Sequence, residues 1–289
     1  MKIGFTADSS SGLEYAPFKH QVKITKTTIH FGDETLTDGV DITADEFYLR
    51  LEKEHVVPTT SAPTLGEVLD KVIEYKKLGY TDVIHFPIST NLSAYGKHIK
   101  RLVQSEVSGI NFKVIDTKAA TLVQGYLVSV AEKLASMGKN PDEIEKEILE
   151  LRNQMQAYFV VDDLKYLIKN GRLSNITGTI GILAKIKPIL SLTKDGKIET
   201  IEKVRTHHKA TESMFMRIKD EAKSYKKVTY MVLHTNRLED ALKFRERILK
   251  EMDNVHECLV STITPTVGAH IGSKILGAGY VILDTYDYL

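Results

Sequence analysis

Between residues 82 and 102 the spacing of apolar positions changes period. Val83, Ile84, Phe86 and Ile88 form a short apolar run of the kind a buried strand carries. Leu92, Tyr95, Ile99, Leu102 and Val103 then recur at helical spacing. Ser89-Thr90-Asn91 marks the break, so the stretch predicts a strand, a hydroxyl-rich turn and a helix. At such a junction the first-turn N–H groups lack intrahelical acceptors, and the helix dipole favours negative charge. The stretch therefore reads as an anion site, with Ser89, Thr90, Asn91 and Ser93 adding side-chain donors. On this stretch alone the commoner role for Ser93 is an ordinary N-cap, which satisfies an orphan N–H of the helix.

The remainder of the first half follows the same alternation. Residues 2–6 predict a strand, followed by a polar turn at residues 7–12. Asp8 and its serines there either face a ligand or form a cap-and-turn cluster. Residues 21–31 alternate at Val22, Ile24, Thr28 and Phe31 and read as a β-ribbon turning at Gly32-Asp33. Thr43 caps a charged helix over 44–53, which Pro58 stops. Thr64 and Glu67 form a capping box ahead of the stripe Leu65, Val68, Leu69, Val72 and Ile73. Thr60 and Ser61 lie just upstream of that cap, free to reach a ligand or to make another turn. A strand at 112–115, a helix with Leu122, Val123, Tyr126, Leu127, Val130, Ala131 and Leu134 on one face, an Asn140-Pro141 helix start and a buried strand at 157–161 complete the series. Strands alternating with helices on this scale predict a parallel sheet covered by helices. Ligands sit beyond the carboxyl ends of such strands.

The second half changes character. Residues 162–172 predict a short helix stopped by Gly171, which leaves Arg172 in a loop. A small-residue helix over 174–184, containing Gly178 and Gly181, comes next. A hairpin turns at Asp195-Gly196. It is followed by a helix at 206–222, a strand at 228–234 and a helix at 238–252. Two last strands, 256–262 and 280–285, flank a glycine-rich loop that carries His270. The predicted fold class is α/β in two domains. Residues 1–160 form an N-terminal parallel-sheet domain with a small β-ribbon, and residues 161–289 a C-terminal α+β domain with a mixed sheet.

Composition narrows the function classes. The 289 residues are 42% apolar and 27% charged, ordinary for a soluble globular protein. A net charge of +1 argues against nucleic acid as the main partner. The single cysteine, Cys258, excludes an internal disulfide and fits a reducing compartment. No apolar run reaches the roughly 18 residues of a membrane span. With no apolar signal core at the start, the expected location is the cytoplasm. Phosphate-loop, nucleophile-elbow and zinc-protease motifs are missing. His207-His208 lack a carboxylate or cysteine at metal-ligand spacing, so no metal or other cofactor is expected.

Taken in order, several short blocks resemble the DegV family of bacterial fatty-acid-binding proteins that serve fatty acid kinase. They are Asp8-Ser9, Thr60-Ser61-Ala62-Pro63, Ile88-Ser89-Thr90-Asn91-Leu92-Ser93, Val114-Ile115-Asp116-Thr117 and Val161-Asp162-Asp163-Leu164-Lys165-Tyr166-Leu167. Asn170-Gly171-Arg172-Leu173-Ser174, Ile186-Lys187-Pro188-Ile189-Leu190, Asp195-Gly196-Lys197, Val204-Arg205-Thr206 and Gly268-Ala269-His270 follow. Ala94-Tyr95-Gly96 stands where the family has G-T-Y, Asn170 where it prefers glycine, and Ile271-Gly272 where T-G-P is usual. The resemblance implies a carrier with no catalytic residues. Thr60 and Ser93 would bind the carboxylate of a long-chain fatty acid between the domains. Arg172, His270 and Ser61 would lie near the head group or couple it to the kinase. The implied partners are the fatty acid and a separate ATP-dependent kinase, for acyl-phosphate formation and phospholipid synthesis, with transient membrane contact. Two alternatives stand beside it: a serine hydrolase using Ser93 and His270, and a regulator that binds a small polar ligand.

Overall fold

The computed structural model describes residues 2–54, 56–106, 108–173 and 186–289. The small-residue helix expected over 174–184 lies outside the described residues. In chain order the first half runs β1 (Ile3–Asp8), β2 (Lys23–Thr25), β3 (Thr28–Phe31), β4 (Glu34–Thr37), α1 (Ala44–Glu54), β5 (Thr59–Ser61), α2 (Leu65–Lys77) and β6 (Asp82–Phe86). It continues through α3 (Tyr95–Glu106), β7 (Asn111–Val114), α4 (Thr121–Ser136) and α5 (Pro141–Arg152). The second half runs β8 (Met155–Val160), α6 (Lys165–Lys169), β9 (Lys187–Leu192), β10 (Ile198–Val204), α7 (His207–Ala222), β11 (Val228–His234), α8 (Leu238–Glu251), β12 (Val255–Thr262), α9 (Pro265–Ile271) and β13 (Leu276–Ile282).

Three sheets organise these elements: parallel β2-β1-β6-β7, antiparallel β4-β3-β5, and mixed β10-β9-β8-β13-β11-β12. The fold is α/β, as the alternation predicts, but strand membership departs from the sequence reading in three places. The ribbon expected over 21–31 is broken: β2 pairs parallel with β1, whereas β3 turns back through Gly32-Asp33 onto β4. The buried strand near 157–161 joins the mixed sheet, antiparallel to both β13 and β9. A fully apolar strand carries the same pattern in either sheet, so its own residues cannot choose between them.

The third departure is Gly277-Ala278-Gly279, which is not loop but the middle of β13, between β8 and β11. Glycine is ordinarily poor in a strand interior and marks a close approach there. A Cβ on Gly279 would lie 2.7 Å from the Gln156 carbonyl oxygen, and one on Gly277 3.2 Å from both Phe159 Cβ and the Tyr158 carbonyl.

Helix α4 is apolar nearly all round because it is packed on two sides. Leu122, Leu127, Val130 and Leu134 join Phe5, Ile84 and Phe86 of the parallel sheet and Met231, Leu233 and Val281 of the mixed sheet in one core. The opposite face of the mixed sheet, through Tyr158, Tyr230, Val232 and Ala278, packs on Met214, Phe215, Phe244 and Ile248 of α7 and α8. Among the described residues no helix is long and apolar enough to cross a membrane.

Candidate functional site

The turn after β6 is where sequence reasoning placed an anion site, and its local bonding argues otherwise. Ser89 N–H donates to Ala119 O (2.8 Å), Thr90 N–H to Asp116 Oδ1 (3.2 Å), Asn91 N–H to Ser89 Oγ (3.3 Å), and Leu92 and Ser93 N–H to Ser89 O (2.9 and 3.0 Å). The side chains are committed too. Ser89 Oγ donates to Gly196 O (2.7 Å), Thr90 Oγ1 to Asp116 Oδ2 (2.6 Å) and Asn91 Nδ2 to Asp195 O (2.6 Å). The Asp195-Gly196 hairpin turn thus seats on the strand–helix turn and uses up its donors. Ser93 is the exception. Its Oγ accepts Tyr95 N–H at 3.3 Å at the start of α3, as an N-cap does, and among the described residues no acceptor takes its hydroxyl hydrogen.

Thr60 reaches the same region from β5, paired with Ile29 of β3. Strand alternation turns Thr60 inward and Ser61 outward, where Ser61 Oγ meets His30 Nε2 at 2.8 Å. The Thr64–Glu67 cap is half of the expected box: Thr64 Oγ1 accepts Glu67 N–H, but Glu67 Oε1 instead accepts Lys26 N–H (2.5 Å).

His270 sits in α9, a short helix where a loop was expected. Three contacts fix that helix. Tyr48 Oη donates to Ile263 O (2.8 Å), Asp38 Oδ2 accepts Thr266 N–H (3.0 Å), and Gly268 lies against the Tyr48 ring, where a Cβ would collide. His270 Nε2 lies 2.8 Å from Thr60 Oγ1, while its Nδ1 is buried with no partner among the described residues. Burial, helped by the nearby Arg172 charge, pushes the His270 pKa down to about 4, so the ring is neutral. Arg172 is exposed, with Nε donating to Leu92 O (3.2 Å) and Nη1 to Asn170 O.

Thr60, Ser93, Arg172 and His270 all line one cavity that opens to solvent; Ser61 does not. Polar lining comes from the carboxyl edge of the parallel sheet, β5 and α9: Asp8, Ser10, Thr27, Thr60, Ser93 and Thr266. The apolar lining comes from the mixed sheet and nearby elements, including Ala157, Phe159, Leu192, Ile198, Leu233, Ile263 and Gly277. Sequence reasoning missed this apolar half. Gly277 was assigned to a loop, and Ala157 and Phe159 to the other sheet. The one available signal was glycine alternating with small and apolar residues in a strand-length segment.

The arrangement is suited to binding rather than to nucleophilic catalysis. His270 pairs with Thr60 and not with Ser93, and among the described residues no group orients its second nitrogen, as a general base requires. Neither does a group of three or more histidine, cysteine, aspartate or glutamate side chains suitable for a metal ion occur among the described residues.

A sequence model described as "Uncharacterised protein, DegV family" matches residues 2–283. A DegV domain-containing protein of Staphylococcus aureus is 32% identical over 284 residues, covering 97% of this chain and 98% of its own. One of Halalkalibacterium halodurans is 32% identical over 283 residues, covering 97% and 99%. Among solved structures, DegV of Bacillus subtilis, described as a fatty acid binding protein, superposes with a TM-score of 0.86. It is 31% identical and covers 98% of this chain and 99% of its own. A fatty acid binding DegV family protein of Streptococcus agalactiae gives a TM-score of 0.86 at 28% identity, with the same coverage.

Proposed function

This chain belongs to the DegV family, and on that premise we propose that it binds one long-chain fatty acid between two domains and presents the carboxylate to a separate ATP-dependent kinase. The observation that carries the reading is the meeting of Thr60, Ser93, His270 and Arg172 on the wall of a largely apolar cavity. The domains are residues 1–160 and 161–289, the first lending β8 to the sheet of the second. His270, in the tautomer with hydrogen on Nε2, donates to Thr60 Oγ1 and leaves the threonine hydrogen for a carboxylate oxygen. Ser93 has its own hydrogen to give while its lone pair holds the α3 amide. Hydrogen bonds to a charged acceptor contribute about 1.5–3 kcal/mol each. Burying an acyl tail of about fifteen methylenes contributes up to ~12 kcal/mol at ~0.8 kcal/mol each, less several kcal/mol for association and ordering. The tail therefore sets affinity and the polar residues set orientation.

The chain carries out no chemistry itself in this reading. It works in the cytoplasm, meets membranes transiently, and delivers its cargo for acyl-phosphate formation and phospholipid synthesis. The decisive experiment is solvent extraction and mass spectrometry of the purified protein, paired with incubation in ATP and magnesium with and without the kinase of the same cell. A co-purifying long-chain acid, and acyl phosphate only when the kinase is added, is the expected outcome. Failure to bind palmitate or oleate, or acyl phosphate made by this chain alone, overturns the reading.

A further inference from the structure

Helix α9 is tied to the three-stranded sheet at two points, and the fatty acid reading gives a task to only one of them. In its first turn, Thr264 O accepts the Val267 and Gly268 N–H groups at 3.1 and 2.9 Å, and Pro265 has no N–H to place. The Thr266 N–H is left over. A helix ordinarily satisfies such a donor with its own N-cap side chain. Thr264 stands at the N-cap but makes no such bond, and its Oγ1 is buried without a partner among the described residues. The acceptor comes from Asp38, 228 residues away, whose Oδ2 takes the Thr266 N–H at 3.0 Å and the Thr266 hydroxyl as well. A local cap would stabilise α9 wherever the helix lay. A remote one stabilises it in one place only.

Asp38 is itself held in position. It is fully buried, follows directly on β4, and donates its N–H to Thr27 O at 3.0 Å. Ser9 Oγ accepts the Thr27 N–H at 3.0 Å and lies 3.2 Å from Thr266 Oγ1, which closes a ring of buried hydrogen bonds between the end of β1 and α9. The second tie is Thr60 to His270, at 2.8 Å. Thr60 lies on β5, and β4 and β5 flank β3, so the same small sheet carries both ties. Thr266 and His270 are four residues apart in the chain, which puts them on one side of α9 and about 6 Å apart along its axis. The hold on Thr266 therefore sets how His270 meets Thr60.

We propose that Asp38 is a positioning residue for the head-group site: it anchors α9 so that His270 orients the Thr60 hydroxyl toward the bound carboxylate. The proposal rests on the fatty acid reading above. Thr60, Thr266 and His270 line the cavity and Asp38 does not, so its effect on the cargo passes through α9.

The test measures binding of palmitate and of its methyl ester by calorimetry, and reads the His270 ring by nitrogen-15 NMR in the ligand-free protein. Asp38→Ala should lower the acid-to-ester affinity ratio about tenfold, the effect of one hydrogen bond to a charged acceptor. The His270 ring should pass from the Nε2–H tautomer to a mixture of both. Asp38→Asn keeps an oxygen that accepts the Thr266 N–H, so ratio and tautomer should stay as they are. Should Asp38→Ala fail to fold, Asp38→Ser, polar but too short to reach Thr266, carries the same expectation. In a Thr60→Ala background, Asp38→Ala should lower the ratio no further, because the hydroxyl it serves is gone. A ratio unchanged by Asp38→Ala, or lowered equally with and without Thr60, overturns the proposal. A changed tautomer in a protein that binds no fatty acid upholds the hold on His270 and sinks the fatty acid reading instead.

Discussion

Thr60 and His270, 210 residues apart in the chain, are hydrogen-bonded at 2.8 Å across the face between β5 and α9. Because burial lowers the His270 pKa to about 4 from an ordinary 6.5, the ring stays neutral through the range in which an exposed histidine titrates. The folded state therefore binds fewer protons than the unfolded one between those values. The His270 contribution to stability is present above pH 6.5 and is lost as the pH falls toward about 4. Nitrogen-15 NMR should show a neutral His270 ring with hydrogen on Nε2 at pH 6, just below the ordinary value of 6.5. A ring already half charged there would remove the basis for the Thr60 relay.

Thr60→Ala and Ser93→Ala should each weaken binding of palmitate by about 1–3 kcal/mol and of its methyl ester by much less. Ser93→Ala also removes a helix cap, at about 0.5–2 kcal/mol of stability. The comparison of acid with ester, by calorimetry, separates the two roles. Equal losses for acid and ester would leave both hydroxyls with structural work only.

Arg172→Ala should spare most of the acid affinity but slow transfer to the kinase. The side chain is exposed at the cavity mouth and bonds only to the Leu92 and Asn170 carbonyls among the described residues, a position from which it can meet a phosphoryl group. Unaltered transfer kinetics would refute this role.

Gly277→Val should discriminate by tail length. The new side chain would crowd Phe159 Cβ, 3.2 Å from an added Cβ, and project into the cavity floor. The expected result is a loss of stability of about 1–3 kcal/mol from overpacking, with palmitate affinity reduced far more than that of decanoate. A parallel loss for both acids would place Gly277 outside the tail path.

Asp38 provides a pH test of opposite sign to His270. Its pKa is raised to about 7 from 3.8, chiefly by burial, so its favourable share is present below 3.8 and is lost as pH rises through about 7. In Asp38→Asn that loss disappears. The stability of the variant relative to the native protein should therefore climb across this window in thermal melts. A constant difference would show that Asp38 does not titrate there.

Much of this protein was legible along the chain because it is governed by local chemistry. The strand Val228–His234, the Asp195-Gly196 hairpin and the Asn140-Pro141 start of α5 all lie where periodicity and capping rules place them. The ordered short blocks pointed to the family, and Thr60, Ser93, Arg172 and His270 were singled out from them. What the sequence could not decide was partnership at a distance. Ser89, Thr90 and Asn91 looked like free donors, and only folding brings Asp116 and the hairpin turn up to bind them. The strand Met155–Val160 has the same polarity whichever sheet receives it, and β13 settles the matter from over a hundred residues away. Gly277 and Gly279 resembled a loop because strand propensity disfavours glycine, whereas a Cβ would collide with the Gln156 carbonyl at Gly279 and would press on Phe159 at Gly277. Hydrogen-bond partners and buried charges depend on which surfaces meet, and that is a property of the folded chain alone.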